Sequence, residues 1–169
     1  MKTLVTIISL VVVVSFNACY SFTGASVPSH LKTVAIPLLD DQSGFGEAGL
    51  REKLTRMLTD LFIRDNSLEV ADKSNADSII EGVIVSVRDD ILTVGAGEQG
   101  REQVGKRRIT MSVKVIYQDM KLRKKVYEKT FTNDGIYDSG SGFAQRQAGL
   151  DDAMKKISED ILLETVSGW

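Results

Sequence analysis

The 169-residue chain holds a single cysteine, a single histidine and two prolines. One cysteine excludes an internal disulfide, a cysteine-based zinc site and a CxxC redox pair. One histidine, His30, leaves no second imidazole for a His-His metal site and makes a histidine-driven mechanism thin. Two prolines and 14 glycines exclude proline-rich and collagen-like chains, and a hydrophobic content of 43% argues against wholesale disorder. No apolar run reaches the ~20 residues that carry a helix across a bilayer. What remains has the length and make-up of one globular domain, with a formal net charge of −2.

The chain opens Met1-Lys2-Thr3 and then runs apolar from Leu4 to Phe16, with Val11-Val12-Val13-Val14 at its heart and the small Ala18 just beyond. A charged start, a short apolar stretch and a small residue are the three parts of a secretory signal. A buried N-terminal helix or strand is the competing reading, and β-branched runs at an extreme terminus rarely enter a core. Cys19 follows directly. Phe16-Asn17-Ala18-Cys19 resembles the bacterial lipobox, with Phe where Leu is usual and Asn where a small residue is usual. The resemblance implies cleavage after Ala18, a lipidated Cys19 and a mature chain of Cys19–Trp169. Tyr20 stands where the inner-membrane retention pattern has Asp, which implies the outer membrane. The alternative is an unpaired exported thiol.

Beyond Leu31 the patterning predicts β-α-β-β-β-α. Thr33 to Leu38 reads as a strand, with Pro37 tolerable near an end or edge, and Asp40 to Gly44 as a turn or loop. Leu50, Leu54, Met57, Leu58, Leu61 and Phe62 form one helical stripe between Glu47 and Arg64, stopped by Asp65-Asn66-Ser67. Asp77 to Arg88 is a strand apolar on both faces at its start. Ile109, Met111, Val113, Val115 and Tyr117 alternate with polar residues, the mark of a sheet with one wet face. Lys125 to Thr132 makes a weaker strand. Leu150, Ala153, Met154, Ile157, Ile161 and Leu162 stripe a helix from about Gln145 to Val166. Two amphipathic helices on one face of a four-stranded mixed sheet, a two-layer α+β sandwich, satisfy both patterns.

Gly95-Ala96-Gly97-Glu98-Gln99-Gly100 matches GxGxxG, but dinucleotide binding needs a helix to follow, and a strand follows here, so the segment reads as a hairpin loop. The pairs Asp40-Asp41, Asp89-Asp90 and Asp151-Asp152 lack calcium-loop spacing. His30 has no triad setting. No catalytic, cofactor or metal residue is indicated. Charge distribution is more informative: residues 101–129 carry ten basic groups against three acidic ones, a local +7 on a mature chain of −3. A basic hairpin on an acidic body points to an anionic partner. Lysines that shield a sheet edge from aggregation explain Lys121 to Lys125 equally well. Nucleic acid fits poorly with an exported chain of acidic net charge.

Cys19-Tyr20-Ser21-Phe22, Val27 to Pro37, Ala76-Asp77-Ser78-Ile79-Ile80-Glu81-Gly82 and the C-terminal amphipathic helix together resemble the LPS-assembly lipoprotein family LptE. The resemblance spans nearly the whole mature chain. It implies two helices on a four-stranded sheet and a non-enzymatic, lipid-anchored role at the outer membrane, facing the periplasm. It further implies a plug and assembly partner for the LptD β-barrel that binds lipopolysaccharide. A basic position in the loop between the family's second and third strands falls here on Arg101, with Lys106, Arg107 and Arg108 nearby. Arginine can hold a lipid A phosphate with two charge-assisted hydrogen bonds. A second family basic position falls within Thr132 to Gly142, where this chain has no Lys or Arg. The first strand and helix also resemble lipoproteins that regulate wall synthesis or form secretion channels, and those alternatives stay open.

Overall fold

A computed structural model describes residues 27–96, 102–140 and 142–169, with side chains described outside 93–96 and 102–104. The signal segment, Cys19, Arg101 and 97–100 of the glycine motif lie outside these residues. The elements run β1 (Thr33–Ala35), β2 (Asp40–Asp41), α1 (Leu50–Asp65), β3 (Glu69–Val70), β4 (Ser78–Ala96), β5 (Glu102–Asp119), β6 (Lys124–Asp138) and α2 (Phe143–Ser167). The sheet order is β3-β1-β4-β5-β6, with β2 also on β4. Strands β1, β2 and β3 pair in parallel, whereas β4, β5 and β6 form an antiparallel meander. The α+β class and the two-helix layer are as expected; the sheet has six strands rather than four.

Both additional strands have local causes. Pro37 has no N–H to give a ladder, so the first strand breaks after Ala35 and resumes at Asp40. Ala35 faces Ile79 and Asp40 faces Val83, so five steps on one side match four on the other. The acidic turn expected at Asp40 therefore begins as a strand, and Gln42 still donates its N–H to the Ile84 carbonyl at 2.9 Å. Glu69-Val70 is held on the far side of β1 once the helix has reversed the chain.

Helix α1 buries Leu50, Leu54, Leu58 and Phe62. It ends where Asn66 takes a left-handed conformation and returns its N–H to Phe62. Helix α2 buries Leu150, Ala153, Met154, Ile157 and Ile161. Against them lies the dry face of β5, with Ile109, Met111, Val113, Val115 and Tyr117 all fully buried. On β4 the two-residue alternation is interrupted by a register shift between Ile84 and Ser86. That shift carries Val87 onto the buried face with Ile80 and Ile84, whereas strict alternation groups it with Val85.

Strands β4 and β5 are far longer than their apolar patterns predict. Pairing continues past Asp89↔Ile109 to Ala96↔Glu102. Ile91, on the helix side, is 54% exposed, so this end of the hairpin extends beyond the helix layer. A strand follows the glycine motif, as the hairpin reading requires.

Candidate functional site

Because successive strand residues face opposite ways, Lys106, Arg107 and Arg108 do not form one cluster. Lys106 and Arg108 lie on the wet face; Arg107 points toward the helices. Arg108 stands 3.4 Å from Asp134, both side chains well exposed, and Lys106 is exposed opposite Asp138 on β6. The wet face around them also carries Arg88, Asp90 and Ile136. The positive segment is thus interleaved with acids from neighbouring strands.

Arg107 belongs to a clamp at the base of the extended hairpin. Its Nε donates to Asp89 at 2.9 Å, and a second guanidinium nitrogen donates to the Asp89 carbonyl. The Tyr137 hydroxyl donates to the same carboxylate at 2.8 Å. Arg146, from the first turns of α2, lies 3.4 Å from Asp89 and 2.9 Å from Glu47. It also stacks over Phe45 with 5.0 Å to the ring centroid, while Gln147 donates to Glu47. Burial pushes the Asp89 carboxyl up, but the Tyr137 and Arg107 hydrogen bonds outweigh it and hold it below the usual range. The Arg146 hydrogen bond does the same for Glu47, against a smaller opposing effect of burial. Two cations and two carboxylates therefore tie the loop before α1, the start of α2 and the hairpin into one unit. Arg146 and Asp89 have no sequence signal for this role beyond being charges at element ends.

Carboxylates with depressed pKa values stabilise the fold above their unfolded values near 4 and lose that contribution as pH falls below them. We expect Asp89→Ala to cost about 2–3 kcal/mol near neutral pH, because it leaves the partly buried Arg107 guanidinium without its carboxylate and Arg146 with Glu47 alone. Urea unfolding at pH 7 and pH 3 checks this: the difference from the unsubstituted protein narrows at the lower pH.

The remaining cations of the basic segment are largely paired. Lys114 and Lys125 share Glu128, which they hold down to about 2. Lys129 meets Glu164, and Lys121 meets Asp77 at 2.9 Å. His30 donates its Nε2–H to the buried Asp119 carboxylate at 2.6 Å. Among the described residues no hydroxyl or thiol side chain is hydrogen-bonded to the His30 ring. Nor does any group of acids and histidines among those residues have a metal-holding arrangement, and none of their helices is long and apolar enough to cross a membrane.

The described residues form a two-layer α+β domain with a long antiparallel hairpin, a clamped base and a charged wet face. The chain belongs to the LptE lipopolysaccharide-assembly family, whose model matches residues 31–165. Similar folds occur in a Xanthomonas campestris protein (TM-score 0.60, 13% identity, 85% of this chain and 89% of that one). Lipoprotein B from Nitrosomonas europaea is also similar (0.54, 16%, 84% and 85%). So is PelC from Paraburkholderia phytofirmans, solved as a dodecamer (0.54, 14%, 85% and 95%). At these identities the likeness is one of fold. No relative is found by sequence among curated proteins.

Proposed function

We propose that this protein is an outer-membrane lipoprotein, anchored through Cys19 and facing the periplasm, that serves lipopolysaccharide assembly as plug and partner of an LptD-type β-barrel. The family match over residues 31–165 carries the reading. A rigid module with no assembled catalytic group among its described residues suits a role in assembly, and no enzymatic activity is proposed.

The candidates for contact with the lipopolysaccharide head group are Arg101, Lys106, Arg107 and Arg108. The clamp divides them. Lys106 and Arg108 stand on an accessible face where a phosphate can displace a weak surface pair, whereas Arg107 is committed to Asp89 and acts by positioning the hairpin. Replacing Arg101, Lys106 and Arg108 together by Ala is expected to weaken lipopolysaccharide binding about tenfold or more at moderate salt, with unchanged thermal stability. Surface-plasmon measurements against immobilised lipopolysaccharide check it. Undiminished binding would remove the head-group assignment.

A further inference from the structure

Among the described residues of the 101–129 segment three cations have no ion pair, and two of them, Arg123 and Lys124, lie together at the β5–β6 turn, the third being Lys106. Asp119 and Lys124 are the last paired residues of the two strands, so Met120-Lys121-Leu122-Arg123 forms the tip. Leu122 is 65% exposed and Met120 43%. Arg123 takes a positive φ of 51°, and neither it nor Lys124 has an ion-pair partner among the described residues. Two exposed apolar side chains beside two unpaired cations form an amphipathic surface.

The turn is also built rigidly against the start of the described chain. Asp119 caps the Leu122 N–H at 2.8 Å and holds His30 through its other oxygen. Lys121 donates to the His30 carbonyl at 2.7 Å and pairs with Asp77. Asp77 in turn accepts the Lys32 and Thr33 N–H groups, and Met120 donates its N–H to the Asp77 carbonyl. The tip therefore sits beside His30. Seven residues separate Cys19 from Val27, eight Cα steps that span at most about 28 Å when fully extended. Trp169, partly exposed, packs edge-on against Tyr117, two residues from the strand end.

We infer that the Met120–Lys124 tip docks on the anionic lipid surface of the membrane to which Cys19 is anchored. This rests on the lipoprotein reading for its orientation. The short tether places the tip at the headgroup layer. There Arg123 and Lys124 meet lipid phosphates while Leu122 and Met120 enter the interface. Lys121 stays with Asp77 and fixes the tip instead of binding lipid. The domain is thereby held at a defined angle instead of swinging on its anchor.

The test uses the full protein as cells process it, with its mass measured, reconstituted into vesicles. An environment-sensitive fluorophore is placed at Leu122→Cys and, as a control, at Thr130→Cys on the wet sheet face. With phosphatidylethanolamine–phosphatidylglycerol vesicles the probe at 122 shifts to the blue, and the control does not. Arg123→Gln with Lys124→Gln lowers the tip's lipid partition constant by about 25-fold, taking roughly fivefold per cation. High salt and vesicles of phosphatidylcholine alone have a like effect. A probe at 122 that stays in water on anionic vesicles overturns the inference, including the case where only an acidic protein partner shields it. A mass without acyl chains fails the lipoprotein reading separately, since the probe's response to anionic vesicles is still read.

Discussion

Gly135→Val is expected to abolish folding, and Gly135→Ala to cost at least about 3 kcal/mol, the upper range for overpacking a core. Gly135 faces Ile109 across the sheet and lies under α2. A Cβ there would stand 1.9 Å from the Gly149 carbonyl oxygen and 2.8 Å from its carbonyl carbon. Both are backbone atoms in the second turn of a 25-residue helix, so no side-chain rotation relieves the clash and the helix must lift from the sheet. Lifting it opens the contacts of Leu150, Ala153 and Met154 together. Gly149 is the informative control. The atoms nearest its added Cβ belong to the Tyr137 side chain, the closest at 3.1 Å, and alanine gains up to about 1 kcal/mol of helix propensity. Gly149→Ala should fall within about 1 kcal/mol of the unsubstituted protein. Thermal unfolding of the three variants checks the pair, and equal losses at both glycines would mean that α2 is not seated in this register.

Cys19→Ala is expected to remove acyl labelling altogether and to cut the membrane-bound fraction by roughly tenfold or more. Several acyl chains hold a protein firmly, and the charged domain has no comparable anchor. Metabolic labelling with a palmitate analogue, followed by membrane fractionation, reads both effects. Persisting label on the alanine variant would dispose of Cys19 as the attachment point. The same variant separates the anchor from the docking tip, because a released protein with an intact Met120–Lys124 turn retains salt-sensitive affinity for anionic vesicles.

Most of the layer that forms the core was legible in the sequence. The alternation from Ile109 to Tyr117 and the stripes Leu50–Phe62 and Leu150–Ile161 reproduce the buried set because burial on one side imposes a period on the residues. Two features escaped that logic. The outer hairpin, Asp90 to Ala96 with Glu102 to Lys106, continues past Ile91, which faces the helix side yet is 54% exposed, and without a dry face its composition carries no period there. The Val87 face depends on a shift at Ile84/Ser86, which a strict two-residue pattern cannot register. At the candidate site the limit is different. A linear charge count groups Arg107 with Arg108, but a strand separates them to opposite faces; Asp89 and Tyr137 reach Arg107 from two other strands, and Arg146 closes on Asp89 from α2. Pairing across such distances in sequence leaves no local signature. The +7 of the segment does not form one patch: six of its cations are paired in place, and two of the three described without an ion pair lie at the turn.

Affinity purification of the full protein from mild-detergent extracts of outer membranes tests the central proposal most directly, with the mass of the isolated complex as readout. A one-to-one complex with a large β-barrel is the expected result. A homo-oligomeric ring, or a complex with a periplasmic wall-synthesis enzyme and no barrel, would contradict it.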